Sequence, residues 1–167
     1  MKSFKGINAW LLLFLFIQTA QLSFAQETEA DVKVKADKLF LSEHFVEATP
    51  LYLHLVALNP RSTDYNYKYG TCLLFNSNKK LDAFKYLNYS ITDPAINPEA
   101  YFYLGKAYHL NFQFNEAIKN YNVYIQKSGG KPNAGFEVER QIEMCQNGKK
   151  LLTTISDTFQ SAVQLQI

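Results

Sequence analysis

Between about residue 30 and residue 152, apolar side chains recur every three or four positions. They come in runs of roughly a dozen residues separated by Asn, Pro and Gly, the pattern of short amphipathic helices rather than of strands. The first run, from Ala30 to about Ser42, turns Val32, Ala36 and Leu39 or Phe40 inward. A turn at His44-Phe45 leads to a helix carrying Ala48, Tyr52 and Leu55 and ending before Asn59-Pro60. Pro50 removes a backbone donor inside that helix, so the helix is expected to start late or to bend. The next is expected to be N-capped by Asp64 and to bury Tyr69, Gly70 and Leu73, closing at Asn76-Ser77-Asn78. Its partner runs from Leu81 to Ser90. After two proline stops, residues 98–126 hold a further pair, with Tyr101, Leu104 and Tyr108 on one helix and Tyr121 and Tyr124 on the other. A Gly/Pro loop at residues 127–133 precedes a last helix, Phe136 to Leu152, with Val138, Ile142, Cys145 and Leu151 or Leu152 on one side. Beyond it, Val163-Gln164-Leu165-Gln166-Ile167 alternates as a strand does. No other segment offers to pair with it, so residues 153–167 are expected to be a disordered tail.

Small residues punctuate this pattern at a fixed interval. Ala36, Gly70 and Gly105 stand 34 and 35 residues apart, and Ala48, Ala83 and Ala117 stand 35 and 34 apart. Two helices approach closely only where small residues sit at the crossing, so each unit reads as one helical hairpin. One extra residue around 76–80 accounts for the alternating count. In the third unit Tyr101, Leu104, Gly105, Tyr108, Ala117 and Tyr121 fall at the offsets of the tetratricopeptide signature. Residues 29–127 therefore resemble tetratricopeptide repeats. The resemblance implies an all-α, right-handed α-α superhelix of three helix pairs, closed by the last helix as a cap.

The start of the chain differs in kind. Met1 to Lys5 is short and basic, residues 7–17 are almost wholly apolar, and Ser23-Phe24-Ala25 places small residues where a signal peptidase cuts, so residues 1–25 read as a secretory signal peptide. That divides the chain into a signal at 1–25, a repeat domain at 26–152 and the tail. The 17 Lys and Arg exceed the 15 Asp and Glu by two, and Lys2 and Lys5 of the leader account for the excess. The remainder is neutral and carries no basic stripe, which argues against a nucleic-acid partner.

Catalytic and metal-binding patterns are missing from the sequence. His44, His54 and His109 have no ligand-like spacing to Cys, Asp or Glu, and Gly129-Gly130-Lys131 lacks the rest of a phosphate loop. No enzyme activity, cofactor, metal or small-molecule substrate is expected. A Cys72–Cys145 bridge is conceivable in an exported chain, but the two lie two repeats apart and are expected to be separate, half-buried thiols. In tetratricopeptide arrays the first helix of each pair lines a groove for a peptide. Carried onto this chain, the groove positions are Lys33, Asp37 and Phe40, then Tyr67, Thr71 and Leu74, then Phe102, Lys106 and His109. Aromatic rings beside a few cations suit a protein or extended-peptide partner.

A finer resemblance rests on residues 100–110, AYFYLGKAYHL, and 142–149, IEMCQNGK. These look like the repeat segment that opens larger Gram-negative envelope proteins bearing a β-propeller and an OmpA-like domain, some linked to type IX secretion. It implies a periplasmic binding scaffold, or one at the periplasmic face of the outer membrane, associated with outer-membrane or cell-wall complexes. The alternative is a truncated piece of such a protein, its repeats acting as a spacer.

Overall fold

The computed structural model describes residues 27–76 and 79–164. The proposed leader and the last three residues of the alternating stretch lie outside them. Seven α-helices make up the described chain, with no strand among the described residues: α1 (Glu29–Leu41), α2 (Phe45–Leu58), α3 (Thr63–Leu74), α4 (Ala83–Ser90), α5 (Glu99–Leu110), α6 (Phe114–Lys127) and α7 (Val138–Gln164). They pack as the hairpins α1/α2, α3/α4 and α5/α6. Each hairpin leans on the next through α2 on α3 and α4 on α5, and α7 covers α6. The fold is an all-α repeat superhelix.

The small residues do the work the spacing assigned to them. Ala36, Ala48, Ala83 and Ala117 have no exposed surface. A Cβ on Gly70 would lie 2.7 Å from Leu87 Cγ, and one on Gly105 would lie 2.7 Å from the Tyr121 ring. Neither position tolerates even a methyl group without movement, which fixes how closely the helices of the second and third hairpins cross.

Local chemistry sets the helix ends. Thr28 and Asp31 form a reciprocal capping box at the start of α1. At the start of α3 the cap is Ser62, whose hydroxyl accepts from the Tyr65 amide at 3.2 Å, so the helix begins before the expected Asp64. The turns after α1 and α5 share one geometry. Glu43 and Phe112 take left-handed φ values of 59° and 58°, and the next residue's amide donates five residues back, His44 to Leu39 at 2.9 Å and Gln113 to Tyr108 at 3.0 Å.

Three further expectations meet a sharper answer. Pro50 does not delay α2, which starts at Phe45. The proline and Val46, whose carbonyl it deprives of a donor, both lie on the exposed side of the helix, where that loss costs least. The helix α4 has only eight residues behind a short 3₁₀ turn, Lys80–Asp82, where the extra residue of the second unit is absorbed. Finally, the last helix does not stop at Leu152 but continues to Gln164. Cys72 and Cys145 are both free thiols and fully buried.

Candidate functional site

The helices α1, α3 and α5, the first of each hairpin, present one face, and aromatic rings run along it from end to end. Phe40 meets Phe45 edge-on at 5.3 Å and Tyr67 at 6.0 Å. Phe45 stacks on Phe75 at 4.3 Å, Phe75 meets Tyr103 at 6.4 Å, and Tyr103 meets Phe136 at 5.6 Å. Phe136 then lies flat on Phe102, with ring centroids 4.0 Å apart and planes 10° apart. Offset and edge contacts of this kind each add roughly 0.5–1.5 kcal/mol beyond area burial, so the face is rigid.

Two hollows open beside this line of rings. The larger, about 490 Å³, lies between α1, α3 and the start of α5. Asp37, Phe40 and Leu41 line it on one side, Asp64, Tyr67 and Lys68 on the next, and Asn97 and Glu99 close it. The smaller, about 240 Å³, is walled by Phe45, Phe75, Phe102, Tyr103 and Phe136, with Lys106 and Glu137 at its edge.

A charged network underlies the larger hollow. Burial pushes the Asp37 carboxyl up, but hydrogen bonds from Lys33, Lys68 and Tyr52 outweigh it and hold its pKa at about 2. Lys68 Nζ bridges Asp37 at 2.8 Å and Asp64 at 3.0 Å, and Tyr52 Oη donates to Asp37 at 2.7 Å. Tyr67 Oη donates to Glu99 at 3.3 Å. Burial, reinforced by Glu99, raises the Tyr67 phenol far above its usual range. Asp37 therefore stays ionised and Tyr67 protonated at neutral pH.

In the smaller hollow Lys106 stands apart. Its ammonium lies 5.2 Å over the Phe75 ring, and burial lowers its pKa. Among the described residues no carboxylate is ion-paired with it.

The nine groove positions read from the sequence are distributed unevenly over this face. Asp37, Phe40 and Tyr67 meet in the larger hollow, and Phe102 and Lys106 in the smaller. Lys33 is at the rim, ion-paired to Asp37. Thr71 is fully buried, and its hydroxyl donates at 2.9 Å to the Tyr67 carbonyl of its own helix. Leu74, half-buried, packs against the core, while His109 lies edge-on to Phe114 at 5.7 Å. Phe102 is 3% exposed because Phe136, from the loop before α7, covers it.

The sequence reading overlooked Lys68, Asp64 and Glu99, and the rings of Phe45, Phe75, Tyr103 and Phe136. An i, i+4 carboxylate–lysine pair at Asp64 and Lys68 was the one signal available for the first group. Phe45, Phe75 and Phe136 belong to turns and helix ends, where helical spacing carries no information, whereas Tyr103 lies within α5 beside the groove position Phe102.

These features define a fold class: an all-α helical-repeat superhelix, with an aromatic face flanked by two hollows. Among solved structures, the chain is similar to one described as the crystal structure of MamA protein, at a TM-score of 0.62 and 20% identity, covering 83% of this chain and 73% of that one. At that identity the likeness is one of fold. No protein-family model matches the sequence, and no curated protein matches it.

Proposed function

We propose that the protein is a non-catalytic scaffold that holds an extended segment of a protein partner against α1, α3 and α5, and that it works in the cell envelope after export. The observation that carries this reading is the pair of hollows flanking one continuous line of rings. Preorganised aromatic walls bind side chains at little entropic cost, and Lys106, half-buried beside one hollow and without an ion pair among the described residues, is suited to accept an acidic group of the partner. Charged groups in the larger hollow favour recognition over proton transfer, since Asp37 is held ionised far from neutrality. Export rests on the leader-like residues 1–25.

A photo-crosslinking residue at Leu41, on the rim of the larger hollow, tests the reading in envelope extract. The same residue at exposed Lys119 is the control. A discrete adduct from position 41 that Phe40→Ala removes, with none from 119, supports the groove. Equal labelling, or none from either position, is the result expected of a passive spacer. Fusion of residues 1–26 to alkaline phosphatase, active only outside the cytoplasm, tests export separately.

A further inference from the structure

The larger hollow carries an excess of negative charge over an apolar wall. Asp37, Asp64 and Glu99 line it, against Lys68 within and Lys33 at its rim, which leaves one carboxylate more than the cations. Both lysines are already committed, Lys33 to Asp37 and Lys68 to Asp37 and Asp64 together. Glu99 is the carboxylate left over. Among the described residues its carboxylate has a neutral partner, the Tyr67 hydroxyl at 3.3 Å, and no cation. The field extends to the neighbouring Tyr65, whose phenol is pushed up to about 12, first by burial and then by Glu29, Asp64 and Asp37. Beside these charges the half-buried Phe40 offers a ring, and Leu41, on the lip of the hollow, is 83% exposed.

We infer that the larger hollow is a pocket for one arginine side chain of the partner segment. The inference rests on the groove reading above and adds what the segment must carry. A guanidinium is planar and weakly hydrated, so it lies against a ring such as Phe40 while its N–H donors serve the carboxylates of Glu99 and Asp64, and its methylene stem covers Leu41. A lysine ammonium brings the charge without the plane. An acidic side chain would meet like charge, and an apolar one would cover Glu99 without giving it a cation, which is costly. Lys106 in the smaller hollow has the opposite need. Tyr67 of the one hollow meets Tyr103 of the other at 6.3 Å, so the two adjoin, and a segment that fills both carries opposite charges close together.

Amide NMR on the chain from Gln26 onward, which carries all seven helices, tests this with N-acetyl-arginine amide as the probe. At millimolar concentrations it should shift amides at the hollow, those of Phe40, Tyr67 and Glu99 among them. N-acetyl-citrulline amide, of the same shape but neutral, should not, and N-acetyl-lysine amide should bind more weakly than the arginine probe. Glu99→Gln, which keeps an acceptor for Tyr67, should weaken the arginine probe about 5-fold at an unchanged melting temperature. Asn97→Asp keeps an oxygen for the Glu99 amide that Asn97 Oδ1 accepts at 2.9 Å, adds a carboxylate to the hollow, and should tighten binding. Equal shifts from citrulline, shifts scattered over the whole surface, or binding indifferent to both substitutions overturns the pocket. A lysine probe that binds as well as arginine overturns the preference for a guanidinium. The groove is judged apart: an adduct from position 41 with no response to arginine leaves the groove standing and removes this assignment, whereas arginine bound as expected with no adduct keeps the pocket and removes the groove.

Discussion

Phe136 lies flat on Phe102, its ring centroid 4.0 Å away, so a residue from the loop before α7 closes the third-repeat end of the face that α1, α3 and α5 share. Contacts with Tyr103 at 5.6 Å and Tyr124 at 5.7 Å hold it there. Phe136→Ala should therefore cost about 2 kcal/mol, less than a fully buried phenylalanine because its outer edge is solvated. Urea unfolding followed by circular dichroism measures it. A loss below about 0.5 kcal/mol, the range of ordinary surface changes, would mean that the ring merely rests on the surface.

Gly105→Ala is expected to destabilise even though alanine is the better helix former by about 1 kcal/mol. The new methyl would meet two carbons of the fully buried Tyr121 ring at 2.7 Å and the Ala117 carbonyl at 3.2 Å. A ring so enclosed cannot swing away, and overpacking of this kind costs roughly 1–3 kcal/mol. Thermal melts showing a gain would place the crossing elsewhere.

Acid should expose the role of Asp37. Its folded-state pKa of about 2 lies below the ordinary 3.8, so the stabilisation it provides is present above about pH 4 and is lost as the pH falls toward 2. Wild type and Asp37→Asn should thus differ most in melting temperature at neutral pH and converge below about pH 3. A difference that does not narrow on acidification would show that the carboxylate charge is not what Lys68 and Tyr52 recognise.

Thiol chemistry supplies a probe of opening. Burial pushes the Cys72 thiol up to about 12 and the Cys145 thiol up to about 11, so neither is a nucleophile at pH 8 in the folded chain. Alkylation followed by mass spectrometry should find both protected. On mild denaturation Cys145, in the end helix, should react before Cys72, which α2, α4 and the aromatic line enclose. Immediate labelling of either would contradict its burial.

Much of this was legible in the sequence, and the exceptions share a cause. Gly105, Ala117 and their counterparts fixed the hairpin register because a close crossing demands a small residue wherever it occurs, and Asn59-Pro60 marked its stop without reference to anything distant. Phe136 was not legible as a cover for Phe102. A Gly/Pro loop has no periodicity to reveal where it lands, and the contact joins residues 34 apart that no local rule connects. Helical offsets put Phe102, Tyr67 and Thr71 on one side of their helices, but burial depends on what lies over that side. The continuation of α7 was missed because the β-branched Thr153 and Thr154 and the alternation at the chain end hid a stripe that Leu152 and Ile155 carry forward.

The brevity of α4 gives the stack a seam. In an array whose units touch only their neighbours, cooperativity passes through each interface in turn, and an eight-residue helix offers the least surface for passing it. The first and third hairpins are thus coupled through their weakest member. Backbone amides of α4 should exchange with deuterium sooner than those of α3 or α5, and the chain should part there under load, as a chain of unequal links does, leaving two short folded ends instead of melting from one terminus.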